Sequence, residues 1–203
     1  MDGGDQTFWY LTRASGLVAY LLLFGSVSLG LALTGGSAGL RRYDIYDLHR
    51  FIALVTLAVT GFHLLIVLPD AYISFTLPEL LVPFASPYRP VYMALGVLGF
   101  YLMVLVLASF YRMPRVPYWL WRRLHYATFF IFALALAHGL GAGTDTGTGW
   151  ALALYGATGW VVLALACRRA LVGRSRGLIP VPHAGTEGPT IAEPVGSRPV
   201  DLA

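Results

Sequence analysis

The chain has 203 residues, of which 57% are hydrophobic and only 12% are charged, and its mean hydropathy is +0.68. A soluble fold of this length cannot bury so much apolar surface, so the composition excludes a soluble globular protein and indicates a polytopic protein surrounded by membrane lipid. The formal net charge of +4 comes from arginines at the ends of apolar segments, as in cytoplasmic flanks of membrane helices, so no nucleic-acid binding is expected.

Five apolar segments are long enough to span a bilayer, which requires roughly 20 residues for a hydrocarbon core of about 30 Å. They cover about 8–34, 47–68, 91–111, 119–140 and 149–171. The first is preceded by two aspartates and no basic residue and is too long for a secretory signal, so we expect it to remain in the mature protein. The sequence therefore predicts an all-α, five-helix transmembrane domain over 1–172 and a disordered cytoplasmic tail over 173–203.

Arginines in the connections predict the orientation, because short cytoplasmic loops are enriched in basic residues. They cluster after the first, third and fifth segments, whereas the amino-terminal segment has only Arg13 and the connection between the second and third has only Arg89. The amino terminus is therefore predicted outside and the carboxyl terminus in the cytoplasm. The connection 69–90, long and proline-punctuated, is consistent with an outer lid or with a plain interfacial anchor.

Four of the five histidines lie inside the apolar segments: His49 and His63 in the second, His125 and His138 in the fourth. The intervals are 14 and 13 residues, which correspond to about 20 Å along a helix. Both segments run from the cytoplasm to the exterior in the predicted orientation. Arginines flank His49 and His125, which places these two at the cytoplasmic level. The other two histidines precede the outer ends of their segments and belong at the outer level.

A single intramembrane histidine is explained by an interhelical hydrogen bond worth about 1 kcal/mol. Four of them, in two parallel helices at matched depths, favour metal ligation, because polar groups at membrane depth are uncommon and by default functional. Each level offers two imidazoles, which is the axial set of a haem iron, whereas a structural zinc site needs four ligands. The sequence therefore predicts two stacked b-type haems. The alternatives are a histidine relay in a proton-coupled transporter, or a subunit that holds haem only structurally.

Two features of the predicted sites concern their geometry. Thirteen residues at 100° each fall about 140° short of whole turns, so we expect the fourth helix to twist, bend or unwind between His125 and His138. Glycines such as Gly16 and Gly96 admit either a flat macrocycle or close helix packing.

Haem propionates need charge-assisted donors, and arginine suits carboxylates. On the cytoplasmic side the candidates are Arg41, Arg42, Arg50, Arg122 and Arg123, and on the outer side they are Arg13 and Arg89. The inner arginines also have an alternative role as determinants of topology.

With these four histidines the chain resembles the transmembrane haem domain of the ferric reductase and NADPH oxidase superfamily, in which paired histidines on two helices hold two haems. The segments Trp121–His125 and Pro83–Pro90 look like those of stand-alone bacterial ferric-reductase-like membrane proteins. The resemblance covers roughly residues 8–172. It implies a multi-pass protein of the bacterial cytoplasmic membrane.

Larger members of that superfamily carry six membrane helices and a fused cytoplasmic flavin and nicotinamide domain, whereas five helices and a tail too short for such a domain are predicted here. The resemblance therefore implies an electron-transfer component with a separate donor, either a flavoprotein reductase or a membrane quinol. The implied acceptor is extracytoplasmic: a flavoprotein, ferric iron or oxygen. An alternative is the haem-binding membrane subunit of a periplasmic methionine sulfoxide reductase system. No catalytic residue is expected in the chain itself.

Overall fold

The computed structural model describes residues 3–34, 42–69, 74–112 and 115–177, and this part of the chain is helical without strands. The helices are α1 (Gly3–Thr34), α2 (Arg42–Ile66), α3 (Leu77–Leu81), α4 (Pro90–Tyr111), α5 (Tyr118–Ala142) and α6 (Gly149–Gly177). All of them except the short α3 are long and apolar enough to cross a membrane. The prediction of an all-α fold with five helices long and apolar enough to cross a membrane is thereby confirmed, and these helices indicate a multi-pass membrane protein.

Helix ends follow the local sequence. Pro90 stands at the first turn of α4, where a missing N–H costs nothing, and the backbone N–H of Gly143 closes α5 by donating to the carbonyl of Gly139. The carboxyl end of α6 differs from the expectation, because residues 173–177 are helical and not part of a disordered tail. Extending an existing helix needs no new nucleus, so apolar periodicity is not required there. The rest of the predicted tail, 178–203, lies outside the described residues.

Two antiparallel helical hairpins build most of the bundle. α1 packs along α2 and α4 packs along α5, while α6 lies against α1 and α5. The direction is evident from the pairs in contact: Thr12, early in α1, meets His63, late in α2, and Tyr92, early in α4, meets His138, late in α5. The membrane-facing surface carries large apolar side chains, as lipid contact requires; Trp160 is 70% exposed.

The best-packed part of the core joins α1, α5 and α6. Tyr20 of α1 stacks on Phe132 of α5 with ring centroids 5.7 Å apart, and both side chains are buried. The Tyr20 hydroxyl also lies 2.5 Å from Thr158 Oγ of α6. These contacts fix α6 to the outside of the two hairpins and leave the space between the hairpins to the site described below.

Candidate functional site

Two cavities follow one another along the axis of the bundle. Cavity A, of about 250 Å³, is lined by His63 and His138, and cavity B, of about 430 Å³, is lined by His49 and His125. The structure therefore brings the four histidines together in the same two pairs that the depth argument predicted. Among the described residues, three side chains from α1, α4 and α5 line both cavities: Leu23, Met103 and Ile131.

Three of the four imidazoles sit in the same kind of pocket on the neighbouring helix. In each, the ring nitrogen Nδ1 lies at hydrogen-bond distance from a backbone carbonyl, and the residue four positions after that carbonyl is glycine. We call this arrangement a carbonyl–glycine seat. The seats are Thr12 and Gly16 for His63 (Nδ1 to O, 3.0 Å), Ser26 and Gly30 for His49 (3.0 Å), and Tyr92 and Gly96 for His138 (2.8 Å).

The seat determines the chemistry of the ring. A carbonyl oxygen only accepts hydrogen bonds, so Nδ1 must carry the proton, and in a neutral imidazole this leaves the lone pair of Nε2 free to bind a metal. Metal-ligating histidines in general donate their other ring N–H in this way, which fixes tautomer and orientation. Ser15 adds a further contact, with its Oγ 3.1 Å from Nδ1 of His63.

Glycine is needed in the seat because the ring occupies the space of a side chain. An ideal Cβ at Gly96 would lie 2.7 Å from Nδ1 of His138, closer than real Cβ atoms approach. At Gly16 the nearest ring atom of His63 would be 3.0 Å away, and at Gly30 that of His49 would be 3.4 Å away. The seat glycines therefore make space for an imidazole. This role differs from the two that the sequence suggested, which were space for a macrocycle and close packing of helices.

His125 has different surroundings. Its ring stacks on Trp121, one turn earlier in α5, with centroids 5.3 Å apart and an interplanar angle of 17°. Across cavity B it faces His49, at a centroid distance of 6.1 Å. Within the described part of the chain no hydrogen bond reaches its ring nitrogens.

The thirteen-residue interval is accommodated without any interruption of α5, which is helical from Tyr118 to Ala142. The local unwinding allowed for in the sequence analysis is therefore not found. The two rings instead approach different neighbours: His138 lies against α4, whereas His125 faces α2.

The pair His49 and His125 fits the axial ligands of a bis-histidine haem. Two metal–nitrogen bonds of about 2 Å, with about 1 Å more from each nitrogen to its ring centre, separate the centroids of two axial imidazoles by about 6 Å. The 6.1 Å between His49 and His125 agrees with that value. A multi-ligand metal site is not an alternative among the described residues, where no group of three or more His, Cys, Asp or Glu side chains converges.

Among the described residues, three arginines line cavity B: Arg50, Arg122 and Arg169. Tyr126 holds two of them together, since its hydroxyl accepts from Nε of Arg122 (3.2 Å) and from a terminal nitrogen of Arg169 (3.3 Å). Arg169 was not among the propionate candidates, because in the sequence it is one of several basic residues at and after the end of the last span. It is the residue through which α6 reaches the cavity.

The other cytoplasmic-side arginines predicted to bind propionates are not among the described residues that line cavity B. Arg123 has its guanidinium over the ring of Trp119, 5.3 Å from the centroid, and is not among the described residues that line cavity B. Arg41 and the side chain of Arg42 lie outside the described residues.

The two outer arginines predicted to bind propionates, Arg13 and Arg89, contact other groups of the protein. Arg13 lines cavity A and forms an ion pair with Asp145 of the α5–α6 connection, with Nε 2.9 Å from the carboxylate and a second, closer contact beside it. Its guanidinium also covers the Trp9 ring, 4.1 Å from the centroid. Arg89 donates to the carbonyl of Gly141 and is not among the described residues lining cavity A. Both arginines thus tie helix ends together.

The connection before α4 closes the end of cavity A. Phe75, Leu80 and Tyr88 all line it, and Leu80 is buried. α3 begins with a capping box, in which the backbone N–H of Thr76 donates to the Glu79 carboxylate at 2.7 Å. This part of the connection is therefore positioned as the lid alternative requires.

The fold and the site define a class, that of α-helical multi-pass membrane proteins whose bundle encloses two cavities, each lined by a pair of imidazoles. Comparisons with protein-family models, with curated proteins and with solved structures each found no match to this chain.

Proposed function

We propose that this protein is a transmembrane b-type cytochrome that carries electrons across the bacterial cytoplasmic membrane through two bis-histidine haems. The observation that carries the proposal is the arrangement of the histidines: two stacked cavities, each with one imidazole from α2 and one from α5. Carbonyl–glycine seats leave Nε2 free in three of the four. The resemblance of the histidine pattern to the ferric reductase and NADPH oxidase superfamily supports the same function.

The residues divide the work of holding the cofactor. Bound haem supplies a one-electron iron couple. His49 and His125 would hold one haem, and His63 and His138 the other, while the apolar walls keep water away from both. At the mouth of cavity B the guanidiniums of Arg50, Arg122 and Arg169 match propionate carboxylates, which arginine binds well because its donors form a planar fork.

Charge distribution supports the direction of transfer. Basic residues surround the end of the bundle that holds cavity B, whereas the end that holds cavity A has Arg13, paired with Asp145, and Arg89. By the positive-inside rule cavity B then lies on the cytoplasmic side. Electrons enter there from a flavoprotein reductase or a membrane quinol, and leave from cavity A to an extracytoplasmic acceptor.

The short distance between the cavities supports a continuous path. The histidine levels are about 20 Å apart along the helices, and the cavities share the lining residues Leu23, Met103 and Ile131. The acceptor is a flavoprotein, ferric iron or oxygen, and the alternative partner is a periplasmic methionine sulfoxide reductase.

An absorption spectrum of the purified protein, with its haem-to-protein ratio, tests the proposal. We expect two six-coordinate b-type haems for each chain. The matched control is a variant in which all four histidines are replaced by alanine, which reports haemin adsorbed to an apolar protein without ligation. A colourless wild-type protein that binds added haemin no better than this control contradicts the proposal, and proton flux through haem-free proteoliposomes supports the histidine relay instead.

A further inference from the structure

The two hairpins are built on one plan. Residues of α4 that line the cavities lie 80 positions after their counterparts in α1: Gly16 and Gly96, Leu23 and Met103, Ser26 and Val106. In the second helix of each hairpin, His138 follows His63 by 75 positions, but His125 follows His49 by 76. The hairpins therefore offer four equivalent places for an imidazole, of which three are the carbonyl–glycine seats.

The fourth place is blocked. The counterpart of Gly30 is Phe110, whose ring lines cavity B and lies 5.0 Å from the guanidinium of Arg50. The carbonyl that would receive Nδ1, that of Val106, accepts a hydrogen bond from Ser109 Oγ at 2.6 Å. The carbonyl of Thr12 in the seat of His63 likewise accepts a hydrogen bond from Ser15 Oγ, at 3.1 Å, so the fourth place differs by the phenyl ring that stands where the other three have glycine.

The blocked place agrees with the spacing of the histidines, since His125 follows His49 by 76 positions whereas His138 follows His63 by 75. The position equivalent to His49, 75 residues on, is Leu124, and moving one residue along a helix turns a side chain by about 100°. His125 thereby avoids Phe110 and enters cavity B from another side. Of the four imidazoles in the described chain, it is the one held by ring stacking alone, against Trp121.

We propose that His125 is an exchangeable ligand, so that the haem of cavity B can release it and take a small diatomic molecule in its place. This inference rests on the proposed function. In the exchange the iron–Nε2 bond of His125 breaks and an iron–ligand bond forms, with no change of oxidation state. Within the described part of the chain no hydrogen bond holds the ring against rotation, and cavity B is the larger of the two, at about 430 Å³ against 250 Å³ for cavity A. His63 and His138, both seated, keep the haem of cavity A six-coordinate.

Carbon monoxide is a suitable probe, because it binds ferrous haem only where a coordination position opens. In the dithionite-reduced wild-type protein we expect one of the two haems to form a carbon monoxide complex. The variant His63→Ala/His138→Ala, left with cavity B alone, should bind one carbon monoxide for each haem. The variant His49→Ala/His125→Ala, left with cavity A alone, should bind none.

The outcomes separate this inference from the proposed function. A wild-type protein without stoichiometric haem contradicts the function itself. A protein with two haems that binds no carbon monoxide, or binds it at both, overturns the exchange proposal and leaves the cytochrome intact. Binding confined to cavity A also overturns it. If one double variant does not fold, the other still assigns the bound carbon monoxide to a cavity, because the wild-type protein gives the total number bound.

Rebuilding the fourth seat gives an independent test. The variant Phe110→Gly/Leu124→His/His125→Leu places a glycine opposite an imidazole at the position equivalent to His49. Carbon monoxide binding should fall at least tenfold relative to the control Phe110→Gly, which opens the space but leaves His125 unseated. Unchanged affinity in the haem-loaded triple variant argues against seating as the cause of the difference.

Discussion

Replacing the glycine of one seat tests whether the seats prepare histidines for ligation. Gly96→Ala is the sharpest change, because an added Cβ would lie 2.7 Å from Nδ1 and 2.8 Å from Cε1 of His138. The nearest atoms belong to the imidazole ring of a partly buried histidine and not to the end of a flexible side chain. The ring must therefore move, and it loses the 2.8 Å hydrogen bond from Nδ1 to the carbonyl of Tyr92.

The magnitude follows from the lost hydrogen bond. Removing the outer partner of a metal-bound histidine typically lowers metal affinity about 10- to 100-fold, or about 1.4–2.7 kcal/mol. Gly16→Ala, with 3.0 Å to His63, should cost less, and Gly30→Ala, with 3.4 Å to His49, should change affinity by less than about threefold. Alanine favours the helix by about 1 kcal/mol over glycine, so loss of the fold does not explain lower affinity.

The assay is a haemin titration followed by the Soret absorbance of protein in lipid nanodiscs. The Gly96 and Gly16 variants are measured in the background His49→Ala/His125→Ala, which leaves one site to titrate. Gly30→Ala is measured in the opposite background, without the histidines of cavity A. Gly25→Ala and Gly61→Ala are matched controls, since a Cβ at either position meets nothing within 4 Å.

The order of the effects is the decisive result. We expect the loss at Gly96 to exceed that at Gly16, which exceeds that at Gly30, with both controls unchanged. Equal losses at all five glycines would mean that helix packing, and not the imidazole, sets the requirement for glycine. An unchanged affinity in Gly96→Ala would refute the seat as a determinant of ligation.

Three further predictions follow from single contacts. His63→Ala should remove the haem of cavity A and spare the other, which a haem-to-protein ratio falling from two to one measures; loss of both haems in a folded variant contradicts separable sites. Asp145→Asn should lower the free energy of unfolding by about 1–2 kcal/mol, because the side chains of its ion pair with Arg13 are only 27–28% exposed. A double-mutant cycle with Arg13→Gln measures the coupling, and additive effects of the two changes would mean that the ion pair contributes no stability. Tyr20→Phe should cost about 1 kcal/mol in thermal or denaturant unfolding, through the lost hydrogen bond to Thr158, and an unaltered stability means that the bond contributes nothing net.

Much of the fold could be predicted because it depends on local properties of the chain. Hydropathy summed over about 20 residues locates a span wherever the helix packs, and the structure has five such helices. The pairing of histidines by depth was equally accessible, since depth follows from the distance of each histidine to the end of its own helix. No tertiary contact had to be known for either.

The roles of charged residues near the site were harder to predict from the sequence. Arg169 and Asp145 follow or precede spans like many other polar residues, and nothing in their neighbours marks them. Arg169 reaches cavity B from α6, whose position depends on tertiary contacts such as that of Tyr20 with Thr158. Arg89 has the residue type of a propionate donor, but its backbone lies in the left-handed region and its side chain turns to Gly141.

The sequence by itself determined the number of spans, the positions of four histidines and their division into two levels. Only the tertiary structure decided how each imidazole is held, because every seat joins residues 23 to 51 positions apart, and its existence depends on how one helix is rotated against another. From spacing alone, the thirteen-residue interval predicted a distortion of α5. In the folded bundle the reason for this interval lies on α4, where Phe110 occupies the position at which α1 has a glycine.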